Sequence, residues 1–220
     1  MSMTESSDIR PAVHPVLWLM AAVMAGFELL FAAADAGLVP ADTMGRLPTF
    51  IALAFLDLRF EHALAGEGVS PPLIWSFVTH AFLHGGWLHL GLNGAAFLGL
   101  GHALVRTIGI GRFVVLFGVT AAAGALVFGL LAEAQGPLVG ASGALFGMLA
   151  IITAWQERAL RHAGRSRAPI WKRIAGLVAL NVILDIGLGG LLAWEAHLGG
   201  WIAGWLMATL YRPQRGPLRL

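Results

Sequence analysis

Six runs of mostly apolar residues, each near the length a helix needs to cross hydrocarbon, limit what this chain can become: Val16 to Ala36, Trp87 to Val105, Phe113 to Leu131, Gly140 to Trp155, Ile174 to Leu192 and Ala196 to Leu210. A backbone in lipid must satisfy its own hydrogen bonds, so runs of this kind become helices. The chain has 220 residues, of which 58% are hydrophobic and 12% charged, so little is left for a separate soluble domain. The expectation is an all-α polytopic membrane protein with one six-helix domain over residues 15–212 and short polar tails at 1–14 and 213–220. Glu5, Asp8, Arg10 and His14 fall in a segment without an apolar core, which reads as a tail and not as a cleaved signal peptide.

The one large connection, about residues 37–86, holds shorter apolar patches at Leu47 to Leu56 and Leu73 to Leu83, broken by Pro48, Pro71 and Pro72. Patches of that length suit interfacial helices better than spans. No cysteine is present, which excludes disulfides, thiolate chemistry and cysteine zinc sites. The sequence pI near 9.9 does not imply nucleic acid, because the basic residues lie between and after apolar runs, where they report topology. Twelve of the 14, from Arg10 through the cluster Arg158 to Arg173 to Arg219, fall on one side, which the positive-inside rule makes cytoplasmic. Both termini are then expected in the cytoplasm, and no internal repeat of the transporter kind is visible.

In this topology spans two, four and six run the same way, so their first residues lie at similar depth. Span two opens with His89 and Asn93, span four with Ser142 and span six with His197. A hydroxyl and an imidazole are the minimum equipment for acyl transfer, and polar side chains in a bilayer want a reason. Alone, Gly-x-Ser-Gly in an apolar helix is a packing device. Pro137 and Gly140, however, place Ser142 where a helix begins and its backbone N–H groups lack partners, a setting that favours an anionic intermediate. His197 alone could bond a carbonyl or meet headgroups, but a neutral imidazole within about 3 Å of the hydroxyl is also its best available base. Gly143 and Gly147 on span four, and Gly200 and Gly204 on span six, form small-x-x-x-small faces that let the two helices approach closely. No acidic third member is identifiable from Glu195 or Asp185, so a Ser/His dyad is favoured over a triad.

His89 and Asn93, four apart, share a helix face and suit an oxyanion hole, although both could simply join helices by hydrogen bonding. His80, His84 and His89 raise the rival of a metal site, but no carboxylate or cysteine joins them in sequence. No metal and no soluble cofactor are expected.

Three segments together, Thr79-His80-Ala81-Phe82-Leu83-His84-Gly85-Gly86-Trp87-Leu88-His89-Leu90-Gly91-Leu92-Asn93, the Gly140-Ala141-Ser142-Gly143-Ala144-Leu145-Phe146-Gly147 turn and His197-Leu198-Gly199-Gly200, resemble the rhomboid intramembrane serine proteases. The resemblance implies a rhomboid-like bundle whose long first loop lies partly in the membrane, with span five and its overlying loop as a gate. It implies that Ser142 is the nucleophile, that His197 is the general base and then acid, and that His89, Asn93 and the Ser142 backbone N–H stabilise the oxyanion. The expected activity is cleavage of transmembrane segments of membrane proteins within the lipid bilayer, in a bacterial inner membrane, with a wet outward cavity and a fourth span shorter than its neighbours. Phe146 is expected to pack beneath His197. Ser76 stands where rhomboids commonly carry arginine, and Val105 near where they often carry glutamate, departures that bear on loop anchoring and stability. Two other classes stay open: an inactive rhomboid-like protein that binds membrane clients, and a His-based metal or proton transporter using His80, His84, His89, Glu28 and Asp185. Glu28, about 18 Å into span one by helical rise, has no role assigned by sequence.

Overall fold

The computed structural model describes residues 12–132, 136–187, 189 and 192–213. Most of both expected tails, with Arg10, Arg215 and Arg219, and the connection residue Glu133 lie outside them. The first long helix, α1 (Pro15–Asp35), starts where His14 accepts the Val16 N–H at 3.2 Å and a proline occupies the first helical turn, where its missing N–H costs nothing. The helices α6 (Trp87–Ile108) and α7 (Ile110–Leu131) follow the first loop, and a single residue, Gly109 at φ 81°, reverses the chain between them. Then come α8 (Ser142–His162), α9 (Ala168–Gly187) and α10 (Trp194–Leu210). Among the described residues there is no strand, only one isolated bridge between Phe55 and Leu138. The result, among the described residues, is an all-α bundle of six long helices with a long first loop.

By length and composition alone, α1, α6 and α7 are apolar enough to cross a membrane. Charges at the ends of α8 and α9, and the 17 residues of α10, about 26 Å of helix, set the other three apart. The surfaces of the long helices are themselves apolar. Leu19, Leu92, Ile183 and Leu206 are each more than 60% exposed, a surface that suits hydrocarbon and not water.

Inside, Leu17 and Met24 of α1, Phe97 and Leu104 of α6, Phe113 and Leu116 of α7 and Met148 and Ile151 of α8 form one buried cluster. Helix α10 packs most extensively on α8 and then on α7, whereas α9 touches α8 only sparsely, and Ile170 is its one buried residue among those described.

The fourth span departs from expectation. It is within one residue of its neighbours in length, with 21 residues in α8 against 22 in α7 and 20 in α9, because it continues past Trp155 through charged residues. That extension is held by polar bonds: Trp155 Nε1 donates to the Tyr211 carbonyl at 2.9 Å, Arg158 donates to the Ala208 carbonyl, and Arg167 pairs with Glu157 at 2.9 Å. Helix α9 likewise begins six residues ahead of the apolar run, at Ala168, and the run's end beyond Gly187 is not helical among the described residues.

The first loop folds into α2 (Ala41–Met44), α3 (Arg46–Leu53), α4 (Asp57–Leu64), α5 (Pro71–Thr79) and a 3₁₀ turn over His80–Phe82. Both apolar patches become helical, and α2 and α4 are additional. Phe55, Phe60 and Phe77 pack on Phe128 of α7. The loop is anchored without an arginine at position 76: Trp75 Nε1 donates to the Ala52 carbonyl at 2.8 Å, Thr79 Oγ1 to the Leu53 carbonyl at 2.6 Å, and Ser76 is buried with its hydroxyl on Leu73 O at 2.8 Å. Arg46 completes the anchoring by pairing with the buried Glu28 of α1 at 3.0 Å and donating to the His84 carbonyl at 2.7 Å. Val105 packs against the main core.

Candidate active site

Helix α8 starts at Ser142 because the chain before it is held from the first loop. Leu138 and Phe55 exchange backbone bonds of 2.9 and 3.3 Å, and the Gly140 N–H donates to the His80 carbonyl at 3.0 Å. Gly140 sits at φ 113°, where L side chains are strained, and a Cβ there would lie 2.8 Å from the His89 ring. The first helical bond runs from Leu145 N–H to the Ala141 carbonyl at 3.0 Å, so the N–H groups of the first turn, Ser142 included, have no acceptor within the helix.

Glycine brings α10 against α8. A Cβ on Gly143 would stand 3.1 Å from the Ala196 carbonyl oxygen, and one on Gly147 2.9 Å from that of Gly200. Added to Gly200 or Gly204, it would overlap the carbonyl oxygens of Gly143 and Gly147. Close approach along these faces puts Ser142 Oγ 2.9 Å from His197 Nε2. Phe146, one helical turn beyond Ser142, stacks on the His197 ring with centroids 4.2 Å apart and planes 8° from parallel. The ring's other nitrogen, Nδ1, is 2.5 Å from Asn181 Oδ1 on α9. The amide of Asn181 donates in turn to the Leu177 carbonyl at 2.9 Å.

Sequence reasoning passed over Asn181 because it looked for a carboxylate. The available signal was one of only two asparagines in the chain, set in the apolar run of span five. Neither acid it weighed takes this place: Asp185 accepts the Leu192 N–H at 3.3 Å, and Glu195 is buried with Oε2 unpartnered among the described residues.

On α6, His89 Nδ1 accepts the Gly85 N–H at 3.2 Å, which leaves the ring hydrogen of the neutral form on Nε2. The Cε1–Nε2 edge of the ring faces Gly140, two residues before Ser142. Asn93 donates one amide hydrogen to the His89 carbonyl at 2.9 Å and keeps a second; its Oδ1 is buried without a partner among the described residues. Of the α6 side chains it is thus the His89 ring that lies against the chain entering the α8 N-terminus.

The remaining polar groups have structural surroundings. His80 is buried with Nδ1 2.8 Å from the Ser76 carbonyl. His84 is buried edge-on to His89, ring centroids 5.1 Å apart, with neither nitrogen hydrogen-bonded among the described residues. Burial pushes both rings down to about 4, opposed at His80 by its Ser76 bond and reinforced at His84 by the neighbouring His89. Glu28, a transporter suspect from sequence, is taken up by Arg46. Beside the Ser142–His197 pair a cavity of about 530 Å³ opens between α9 and α10, lined by Phe146, Asn181, Asp185, His197 and Trp201 among others.

The sequence profile of the Rhomboid domain matches residues 71–214, more than half of the chain. The chain is 31% identical to RHOMBOID-like protein 5 of Arabidopsis thaliana over 179 residues, 77% of this chain and 52% of that protein. It is 30% identical to an uncharacterized protein of Mycobacterium tuberculosis (strain H37Rv) over 182 residues, 74% of this chain and 72% of that protein. To Rhomboid protease GluP of Bacillus subtilis it is 30% identical over 142 residues, 61% of this chain and 25% of that protein. It therefore spans about half the length of the Arabidopsis relative and about a quarter of the Bacillus one.

Proposed function

The chain belongs to the rhomboid family, a family of intramembrane proteases, and from that premise we propose that it is a serine endopeptidase that cuts transmembrane segments of membrane proteins. The observation that carries the proposal is the 2.9 Å contact between Ser142 Oγ, at the first position of a helix, and His197 Nε2. A hydroxyl bonded to a ring nitrogen, next to unpaired N–H donors, is the geometry of an activated nucleophile with its anion site attached.

In the proposed reaction His197 Nε2 takes the Ser142 proton as Oγ bonds to the carbonyl carbon of the scissile peptide. The oxyanion that forms is met by the Ser142 N–H and by the His89 and Asn93 side chains. As the C–N bond breaks, the imidazolium passes its proton to the leaving amine, and an ester to Ser142 remains. Water then attacks that ester, giving its proton to His197, and the returning proton frees Ser142. Phe146, stacked on the ring, limits its rotation through both proton transfers. The substrate class is a single-span protein whose helix unwinds at the cut. The excess of basic residues on one side supports cytoplasmic termini and a site in the outer half of the membrane, and the mycobacterial relative fits a bacterial inner membrane.

The test is proteolysis in liposomes containing the purified protein and a tagged single-span substrate. Cleavage by the wild type, lost in both Ser142→Ala and His197→Ala at unchanged thermal stability, is the expected result. Cleavage that survives either substitution contradicts the proposal.

A further inference from the structure

We propose that Asn181 is a positioning residue that fixes the His197 ring in its reactive tautomer, and that it does so only while α9 is seated on the bundle. The inference rests on the hydrolase reading above and adds a third helix to it. Three contacts in series carry it. The Asn181 amide nitrogen lies 2.9 Å from the Leu177 carbonyl, which only accepts, so the nitrogen must be the atom on that side. Oδ1 therefore faces His197 Nδ1 at 2.5 Å, and since Oδ1 only accepts, Nδ1 must carry the hydrogen. The neutral ring then keeps its lone pair on Nε2, aimed at the Ser142 hydroxyl 2.9 Å away. A carbonyl of α9's own backbone thus determines, through two side chains, which nitrogen of a residue on α10 acts as base toward α8.

The location of Asn181 makes the device conditional. Helix α9 is buried against the bundle only at Ile170 among its described residues, and the cavity of about 530 Å³ lies along the face that holds Asn181. Outward movement of α9 would withdraw Oδ1 from the ring while leaving Ser142, His197 and Phe146, which sit on α8 and α10, in place. The other titratable groups near the ring are His89 from α6, Glu195 from α10 and Asp185 from α9, and none of them contacts Nδ1 among the described residues.

Three measurements test this. Nitrogen-15 shifts of His197 in the detergent-solubilised wild type are expected to show the Nδ1–H form; a ring found mainly as Nε2–H overturns the inference without requiring any variant to fold. Asn181→Leu, similar in size but without an acceptor, is expected to lower kcat about 10- to 100-fold with KM nearly unchanged, as befits a group acting through the general base. Asn181→Asp keeps an acceptor in place and is expected to restore most of the kcat lost in Asn181→Leu. If Asn181 only tethers α9, Asn181→Leu alters KM or raises kcat, and equal losses in both variants point to shape instead of the acceptor; either outcome overturns the inference. A wild type that cleaves nothing sinks the hydrolase reading instead, and the tautomer measurement still decides the role of Asn181.

Discussion

Replacing Arg46 with methionine should destabilise the protein, and replacing its partner as well should restore part of the loss. Arg46 donates to both carboxylate oxygens of Glu28, at 3.1 and 3.0 Å, and Glu28 is 1% exposed while Arg46 is 36% exposed. Breaking a fully buried pair costs about 3–5 kcal/mol, chiefly because one charge is left alone out of water. Water reaches the Arg46 side, which lowers the expected cost of Arg46→Met to about 2 kcal/mol. For a chain of this size that corresponds to a drop in Tm of roughly 4–8 °C. Glu28→Gln with Arg46→Met removes the stranded charge and should recover about half of the drop. The remainder reflects the lost bond to the His84 carbonyl and the guanidinium stacked 4.6 Å from the Phe31 ring. Thermal unfolding followed by tryptophan fluorescence in detergent at pH 7 measures all four corners of the cycle. A double variant no more stable than Arg46→Met would refute the reasoning, because it would mean the carboxylate never needed its partner.

Gly200→Val should lower kcat at least about tenfold and lower Tm, since a side chain there overlaps the Gly143 carbonyl and forces α8 and α10 apart; unchanged turnover in the liposome assay would contradict this. Gly140→Ala should lower both Tm and turnover, because φ 113° strains an alanine and the new Cβ meets the His89 ring at 2.8 Å; a variant with wild-type kcat would show that His89 need not sit there. His80 and His84 are held down at about 4 by burial, against an ordinary value of 6.5, so the unfolded chain takes up protons that the folded chain refuses between those values. Their contribution is fully present above pH 6.5 and is lost as pH falls toward 4, at up to about 1.4 kcal/mol per pH unit for each ring. His84→Leu, which abandons no hydrogen bond, should flatten the fall in Tm between pH 6.5 and 4; an unaltered slope would count against the assignment.

Much of this architecture was legible because hydrocarbon simplifies the code. A run such as Phe113 to Leu131 has no stable choice but helix, and α7 covers it. The glycines at 143, 147, 200 and 204 were readable for a similar reason: a four-residue spacing marks one helix face, and it is on these faces that α8 and α10 meet. Ser142 and His197 stood out as polar residues at the outer ends of those faces. What sequence spacing could not reveal were contacts between elements that share no periodicity. Arg46 sits in the first loop and Glu28 mid-span, and nothing local announces their pairing across 18 positions. Asn181 meets His197 only because α9 turns that face inward, which its evenly apolar run does not encode. The extension of α8 through Gln156 to His162 likewise depends on acceptors supplied at a distance, by Ala208 and Tyr211, whereas hydropathy alone ends the helix at Trp155.

The central claim is that Ser142 is made nucleophilic by His197. Intact-protein and peptide mass spectrometry after treatment with a serine-directed fluorophosphonate tests it most directly. The account predicts one adduct, on Ser142, that forms in the wild type and fails to form in His197→Ala although that variant remains folded. An adduct on another serine, or equal labelling of Ser142 with and without His197, would contradict it.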